Sequence, residues 1–214
     1  MSNGAATRLR RSRERILAAA AEVFLRHGFL GTNMDAIAEK ADVSKQTVYA
    51  HFISKEALFI QVVEAMTGEA AHELREGIDE PLDDRPVKEF LLGLAVDQLT
   101  VVMTPRLMRL RRMVIGEVDR FPELGQSLYE NGPKRSIDRL ARAFAHYRLI
   151  GQLATPDPVK AATQFNWMLM GAPTNAAMLL GDAGIPDKAE ILCHAAETVS
   201  IFLCAYGSET AAET

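Results

Sequence analysis

A short segment from Ser44 to Phe52, with the sequence SKQTVYAHF, carries the side chains of this chain that are best suited to recognition chemistry. A lysine such as Lys45 can reach the acceptor atoms of guanine or a phosphate, and a glutamine such as Gln46 can pair with adenine. The hydroxyls of Thr47 and Tyr49 have the right length to hydrogen-bond backbone phosphates. Together these residue types predict a surface that binds double-stranded DNA.

These side chains share one face only if the segment is a short helix. Ser44 is a good N-cap, and Val48 and Phe52, at i and i+4, form an inward apolar face. A tight turn at Asp42-Val43 joins this helix to one that begins near Asn33. Two helices with this connection have the layout of a helix-turn-helix, in which the second helix enters the major groove.

Further helices are predicted on both sides of this pair. The first runs from about Ser12 to His27 and ends at Gly28, a residue that adopts the left-handed closing conformation easily. It buries one apolar stripe, consisting of Ile16, Ala20, Val23 and Phe24. Another helix begins at Ser54 and reaches about Gly77. Helical spacing recurs along the whole chain and strand signals are nearly absent, so the predicted fold is all-α.

The charge of the chain is distributed unevenly. It has 24 Lys and Arg and 28 Asp and Glu, a net charge of −4. Residues 1–55 hold nine of the basic and five of the acidic side chains, which leaves this part at +4 and the remainder at −8. A basic head on an acidic body suits a protein that meets phosphates through one part only.

The head resembles the N-terminal signature of the TetR family over about 45 residues. The matching residues are Gly28, Phe29, Thr32, Ile37, Ala38, Ala41, Val43, Ser44, Lys45, Thr47, Val48, Tyr49, His51, Phe52, Lys55 and Leu58. Asp42 departs from the pattern, because family members often carry Gly there. Since Asp tolerates a left-handed backbone better than most residues, the turn is still expected.

The resemblance implies roles for individual residues of the head. Those at family positions that contact phosphates are Thr32, Ser44, Thr47, Tyr49 and Lys55, and those at positions used for base readout or nearby contacts are Lys45, Gln46 and His51. Four arginines near the start, Arg8, Arg10, Arg11 and Arg13, either enter a minor groove or serve solubility. The predicted domains are a helix-turn-helix domain at 1–55, with 1–11 as a flexible basic arm, and a helical ligand-binding and dimerisation domain at 56–214.

The body is predicted to be helical over 86–103, 105–119, 122–150, 157–181 and 186–206, after a loop from Asp79 to Pro86. Helix starts are marked by Pro86, Pro105, Pro158, Pro186 and the cap Asp157. Pro133 and Pro173 lie inside helical patterns and should kink or interrupt them. Residues 110–117 and 121–124 resemble the AefR-like subgroup. The resemblance implies a homodimer through the last two helices, a two-fold symmetric operator and a small-molecule pocket in the body.

Candidate pocket residues are apolar or polar side chains at helical spacing in the body. The predicted ligand-binding residues are Met103, Met108, Arg112, Met113, Asn166 and Met170, and Trp167, Met168, Arg109, Glu117 and Asn175 are weaker candidates. Met side chains suit an adaptable pocket for an apolar or amphipathic effector. The competing interpretations are ordinary core packing for the Met and Trp side chains and a surface salt-bridge set for the charged ones.

Other kinds of protein find little support in the sequence. Motifs for acyl transfer, zinc hydrolysis and phosphate loops are missing and the five histidines are scattered, so no enzyme, no metal site and no cofactor is predicted. Cys193 and Cys204 lie about 16 Å apart along one helix, too far for a bridge within the chain. They are predicted to be buried free thiols, and the alternative is a bridge across the two-fold axis of a dimer. No secretion signal is seen and residues 161–181 fit burial better than a membrane, so the predicted location is the cytoplasm.

The sequence therefore predicts a transcriptional regulator that responds to a ligand. Its expected form is a repressor that binds a palindromic operator as a dimer and is released by a small-molecule effector. The alternative is an effector-independent activator or architectural DNA-binding protein with the same helix-turn-helix.

Overall fold

The computed structural model describes residues 3–76 and 85–208, in which the chain forms ten α-helices. Within these ranges the one extended pairing is an isolated bridge between Leu153 and Gly207. The helices are α1 Asn3–Gly31, α2 Met34–Lys40, α3 Lys45–His51, α4 Lys55–Glu76, α5 Val87–Val102, α6 Pro105–Glu117, α7 Pro122–Tyr129, α8 Arg135–Leu149, α9 Pro158–Leu180 and α10 Lys188–Tyr206. The predicted all-α fold is confirmed. The predicted loop runs from Asp79 to Pro86, and its residues up to 84 lie outside the described part of the chain.

The chain divides into two compact units. The first unit comprises residues 1–67 and 109–128, and the second comprises 68–108 and 129–214. The predicted domain boundary after residue 55 therefore falls inside the first unit. The first unit also takes in most of α6 and α7, which the sequence had assigned to the ligand-binding domain.

The first unit has an apolar core built from the predicted stripes. Ile16, Ala20 and Phe24 of α1 are fully buried, as are Ile37 of α2 and Val48 of α3. Three phenylalanine rings pack together in this core: the ring centroid of Phe59 lies 4.7 Å from that of Phe24 and 5.2 Å from that of Phe29. This core holds α2 and α3 against α1 and fixes the direction in which α3 presents its outer face.

The beginning of α1 differs from the prediction. The segment expected to be a flexible arm at 1–11 is helical from Asn3 onward. Its composition explains this, because Ala5, Ala6 and Leu9 are strong helix formers and Arg10 pairs with Glu14 one turn later, at 3.5 Å. At the other end, Gly28 has φ 71° and ψ 173°, a conformation almost restricted to glycine, and it breaks the helix as predicted.

The helices of the second unit lie close to their predicted positions. The Asp157 carboxylate accepts hydrogen bonds from the backbone N–H groups of Val159 and Lys160, which confirms it as the cap of α9. The predicted helical range 122–150 consists of α7, a π-helical turn at Glu130–Lys134 and α8, so the interruption predicted at Pro133 is confirmed. Pro133 lies in this turn, where a wider helix accommodates its missing N–H. Helix α9 continues through Pro173 without an interruption, so of the two predicted effects only a kink is still possible there.

The second unit has its own core, formed by α5, α8, α9 and α10. Its aromatic centre is Phe202, whose ring centroid lies 5.1 Å from both Phe144 and Phe165. Met103, Met108 and Met170 are buried in this core, at 6% exposure or less. These three predicted pocket residues are therefore packed among apolar side chains in the structure.

The two cysteines are exposed and not buried, contrary to the prediction. The reason is the helical phase of α10: Ile191, Ala195, Val199 and Phe202 face the core, and Cys193 and Cys204 lie on the opposite side. That outer side also carries Leu192, 47% exposed, and Ile201, 60% exposed. Taken singly, α10 is the one helix of the described part that is long and apolar enough to cross a membrane. The apolar character of this helix comes from two faces, of which only one is buried.

Candidate nucleic-acid interface

The turn between α2 and α3 adopts the geometry that a helix-turn-helix needs. Asp42 is the one described non-glycine residue with positive φ, at 52°, so it performs the left-handed turn expected of it. The Arg15 guanidinium of α1 donates to the backbone oxygens of Ala41 and Asp42 and lies 3.3 Å from the Asp42 carboxylate. The Arg15 side chain therefore stabilises the left-handed turn. No pattern in the sequence indicates this role for Arg15.

The N-terminus of α3 is closed by its own side chains. The Ser44 hydroxyl accepts a hydrogen bond of 3.1 Å from the backbone N–H of Thr47, as predicted for an N-cap. The Thr47 hydroxyl lies 2.8 Å from the Ser44 hydroxyl. Both hydroxyls keep further hydrogen-bonding capacity at the end of the helix where backbone N–H groups attract anions.

The outer face of α3 is polar and accessible. Val48 is fully buried and Phe52 is 4% exposed, so the opposite side of the helix faces solvent. Gln46 is exposed there, and Tyr49 is 45% exposed, with a large aromatic body and a terminal hydroxyl. His51, at the last position of the helix, is half-buried beside Phe52. The geometry allows Gln46 and Tyr49 to reach a groove without disturbing the core.

Lys45 is paired with a carboxylate. Its Nζ lies 2.8 Å from Asp35 Oδ1 and 3.0 Å from Oδ2, which links α3 to the first turn of α2. The hydrogen bond to Asp35, followed by the charge of the same group, raises the pKa of Lys45. The ammonium is thus fully charged at neutral pH, but a phosphate or base that binds it must compete with Asp35.

Lys55 and Thr32 are engaged inside the first unit. The Lys55 ammonium donates to the carbonyl oxygens of Phe29 and Thr32, each at 2.9 Å, and lies 4.4 Å from the centre of the Phe29 ring. The Thr32 hydroxyl donates to the Gly28 carbonyl at 2.7 Å, and the residue is only 3% exposed. A phosphate that binds Lys55 in this conformation must therefore compete with two backbone carbonyl oxygens for the ammonium.

The arginines of α1 are not equivalent. Arg13 donates to Gln61 of α4, and its guanidinium lies 5.3 Å from the centre of the Phe52 ring, so it ties α1 to both neighbouring helices. Arg8, Arg10 and Arg11 are all exposed on this helix, and Arg10 pairs with Glu14.

An aromatic contact joins the segment after α6 to the helix-turn-helix. The Phe121 ring meets the Phe29 ring edge to face, with centroids 5.1 Å apart, within the first unit. Arg120 lies over the Phe121 ring at 5.4 Å and 3.9 Å from Glu117, which fits the salt-bridge interpretation of Glu117. In the sequence, Phe121 is only part of the stretch that resembles the AefR-like subgroup. Its contact with Phe29 could not be predicted, because residues so far apart in the chain show no common periodicity.

The predicted ligand residues are divided between the units. Arg112 and Met113 belong to the first unit, and both are half-buried. The other four, Met103, Met108, Asn166 and Met170, belong to the second. Trp167 and Met168 are 46% and 36% exposed and lie outside that core, as does the exposed Asn175.

Family models match both parts of the chain. Residues 16–62 match the model for bacterial regulatory proteins of the tetR family, and residues 89–208 match the C-terminal domain of AefR-like transcriptional repressors. The chain belongs to the TetR family. This confirms both predicted resemblances, and it makes the chain a DNA-binding transcriptional regulator and not an enzyme.

Solved structures of other TetR-family regulators are similar over nearly the whole chain. A TetR-family transcriptional regulator from Mesorhizobium loti MAFF303099 is 35% identical with a TM-score of 0.85, covering 94% of this chain and 98% of the other. The Flavonoid-responsive Regulator FrrA is 32% identical with a TM-score of 0.74, covering 93% and 98%. Curated relatives match over a shorter part: UidR of Escherichia coli strain K12 is 38% identical over 79 residues, which is 37% of this chain and 40% of UidR.

Proposed function

We propose that this TetR-family protein is a cytoplasmic, ligand-responsive repressor that binds a palindromic operator as a homodimer and is released by a small-molecule effector. TetR-family regulators bind DNA and act as dimers. The observation that carries the proposal is the outer face of α3, where Gln46 and Tyr49 are exposed on a helix whose cap and turn are fixed by Ser44 and Arg15.

The proposed DNA contacts divide into readout and positioning. Gln46 reads base edges in the major groove, Lys45 reaches a guanine or a neighbouring phosphate there, and His51 contributes nearby. Ser44, Thr47 and Tyr49 hydrogen-bond phosphates and set the register. The resemblance places Thr32 and Lys55 among the phosphate contacts. In this proposal they have a structural role instead, because their hydrogen bonds to backbone carbonyls stabilise the turn after Gly28.

The proposed dimer forms through α9 and α10. Support comes from their uncovered apolar side chains, which include Trp167 and Leu179 of α9 and Leu192 and Ile201 of α10, between 46% and 75% exposed. Apolar side chains concentrated on adjoining helices are typical of an interaction surface. A two-fold axis through this surface would let two α3 helices enter successive major grooves about 34–36 Å apart.

Release by an effector is proposed as a population shift. An effector can weaken operator binding only by its differential affinity for the two states of the dimer. Helix α4 contributes to both compact units, since the division falls after Thr67, and it is the proposed lever. An apolar or amphipathic effector is supported by the Met-rich second core and by the relative FrrA, whose name describes it as flavonoid-responsive.

We propose repression and not activation of transcription, because residues 89–208 match the C-terminal domain of AefR-like transcriptional repressors. The activator FasR of Mycolicibacterium smegmatis is similar over 73 residues only, 36% identical and 34% of this chain. The alternative of an effector-independent activator or architectural protein predicts DNA binding that no small molecule changes.

Selection of binding sites from random duplex DNA tests the proposal, with the affinity of the selected site measured at two salt concentrations. We expect a two-fold symmetric sequence whose affinity falls as salt rises, because lysine and arginine contacts to phosphates release counterions. Selection of an asymmetric sequence would contradict the dimeric operator. Failure to enrich any sequence would contradict readout by α3.

A further inference from the structure

The outer face of α10 carries a line of small side chains along most of its length. The line consists of Ala189, Cys193, Ala196, Ser200 and Cys204, all of them exposed. Their spacing of three or four residues keeps them on one side of the helix, and the separation of eleven residues between the two cysteines is about three turns. Because small side chains let a second helix approach closely, this line is suited to contact with another helix.

The side chains beside this line bear on what covers it. Leu192 is 47% exposed and Ile201 is 60% exposed, so the face gains from any contact that removes them from water. Glu197 accepts a hydrogen bond of 3.7 Å from the Cys193 thiol, which directs the sulfur toward the middle of the helix. Since the proposed dimer forms through α9 and α10, the expected occupant of this face is a second copy of α10.

A two-fold axis can relate two copies of α10 in a parallel or an antiparallel arrangement. In a parallel pair each residue faces its own copy, so Glu197 would meet the partner's Glu197 and like charges would be opposed. In an antiparallel pair, residues at equal distances on either side of the axis face each other. With the axis between residues 198 and 199, Glu197 faces the partner's Ser200, whose hydroxyl can donate to the carboxylate. Charge therefore favours the antiparallel arrangement.

The sizes of the side chains favour this position of the axis. With the axis between residues 198 and 199, Ile201 faces the partner's Ala196. In the same way, Leu192 faces the partner's Ala205, so each large side chain meets a small one. If the axis is moved by one helical turn in either direction, at most one of the two large side chains faces an alanine of α10. The axis also lies close to the middle of the helix, so the contact extends over most of its length.

We propose that this line of small residues packs antiparallel against the same line of a second copy and places Cys193 opposite the partner's Cys204, as a reversible disulfide site. Helices in contact have axes about 8–10 Å apart and Cα atoms about 2.3 Å from each axis, so facing Cα atoms come within about 6 Å, as a disulfide requires. The inference rests on the proposed dimer and goes beyond it by naming the facing residues and their chemistry.

The disulfide forms by exchange with a small disulfide oxidant such as glutathione disulfide. Each dimer has two facing pairs, about 8 Å from the axis along the helix, where a small molecule can reach the ends of the contact. The thiolate of one cysteine attacks the oxidant, forms a mixed disulfide and releases one glutathione thiolate. The facing thiolate then attacks the protein sulfur of the mixed disulfide and releases the second. The two cysteine protons pass to the two glutathione thiolates, and two electrons reduce the oxidant.

Oxidation therefore changes the stability of the dimer. Joined protomers cannot separate on dilution, so the oxidised protein stays dimeric at concentrations where the reduced protein dissociates. Dithiothreitol reverses the change.

The test is electrophoresis of the full-length protein under denaturing conditions without reductant, after treatment with glutathione disulfide. Most of the chain should migrate at about twice the monomer mass, because each dimer has two facing pairs. Cys193→Ser and Cys204→Ser should each abolish this band, since either substitution removes one member of both pairs. After the two variants exchange subunits, about half of the dimers contain one protomer of each kind and should regain a single bond.

The matched control places a thiol outside the proposed contact. Leu149 is 82% exposed in α8, so Leu149→Cys combined with Cys193→Ser and Cys204→Ser presents an accessible cysteine away from α10. This variant can form a bond only when dimers collide, so its product should decrease on dilution. The product of the wild-type protein should not decrease, as long as the protein remains dimeric.

The outcomes separate this inference from the proposed function. A cross-link that persists in either single variant would show that like cysteines face each other, and would overturn the antiparallel arrangement. Absence of a cross-link in a protein that sediments as a dimer would overturn the inference and leave the proposed dimer intact. Sedimentation of the reduced protein as a monomer at high concentration would overturn both.

Discussion

Helices α3 and α10 each leave one face uncovered, and the two faces differ in chemistry. The outer face of α3 carries Gln46 and Tyr49, which end in hydrogen-bonding groups. The outer face of α10 carries Leu192 and Ile201, together with two exposed cysteines. Both helices bury the opposite side in an apolar core. The difference between their exposed faces therefore bears on which molecules they bind and not on how the chain folds.

The difference indicates what each face can bind. Exposed donors and acceptors on a short, capped helix lose little by staying hydrated and gain specificity when base edges replace water. Exposed leucine and isoleucine gain from any contact that removes them from water. The proposed DNA surface on α3 and the proposed dimer surface on α10 account for both patterns. Single substitutions can separate these two roles.

The largest effect is expected from a charge on α10. Ile201→Glu should dissociate the dimer, because two carboxylates would be buried near the two-fold axis, and operator affinity should fall about 100-fold as the half-sites are no longer bound together. Sedimentation and electrophoretic mobility measure the two effects. Leu149→Glu, at an 82% exposed apolar position in α8, is the control and should change neither. A stable dimer of Ile201→Glu would place the interface elsewhere.

A smaller effect is expected from the outer face of α3. Gln46→Ala should cost about 1 kcal/mol per half-site on the selected operator, and little on random DNA, because a bidentate base contact is lost. Tyr49→Phe should weaken both kinds of DNA to a similar, smaller extent, since a phosphate contact carries no sequence information. Fluorescence anisotropy with both duplexes measures this. Equal losses of Gln46→Ala on the two duplexes would argue against base readout.

The two lysines beside α3 should behave differently. Lys55→Met should lower the free energy of unfolding by about 1.5–3 kcal/mol, because a charged donor to two carbonyls is removed. Lys45→Met should leave stability nearly unchanged and reduce the slope of log affinity against log salt by about one unit per protomer. Urea unfolding and salt titrations distinguish the two. A reduced salt slope in Lys55→Met would restore the phosphate contact implied by the resemblance.

The smallest effect is expected at Asp35. Asp35→Asn removes the carboxylate that pairs with Lys45 and that would repel phosphates nearby. Operator affinity should rise about two- to fivefold at low salt, and the gain should shrink at high salt because exposed charges are screened. A loss of affinity would mean that Asp35 holds Lys45 in its binding position. Lys45→Met then serves as the control, since Asp35→Asn should add little to it.

Local signals predicted much of the fold. The predicted left-handed conformations are present at Gly28 and Asp42, and the predicted helix caps are present at Ser44 and Asp157. These features could be predicted because caps and left-handed turns depend on a few adjacent residues. The apolar stripes predicted the core for the same reason. The helical start of α1 was missed because the segment was interpreted by its charge and not by its helix-forming residues.

Long-range contacts could not be predicted in the same way. The bonds of Lys55 to the end of α1 join residues 23 and 26 positions apart, and the Gln98–Asn166 bond spans 68. The Phe29–Phe121 contact likewise depends on the packing of residues 109–128 with the first unit. Such pairs leave no periodic signal, so the sequence located the residues of the recognition helix but not the bonds that support it.

The most direct test of the account is the spacing of the operator. Once the selected palindrome is known, its affinity should be measured with the native spacing and with five base pairs inserted between the half-sites. Because two α3 helices of one dimer must meet the same side of the duplex, half a turn of rotation should reduce affinity to that of a single half-site. Unchanged affinity after the insertion would contradict binding by a dimer with two fixed recognition helices.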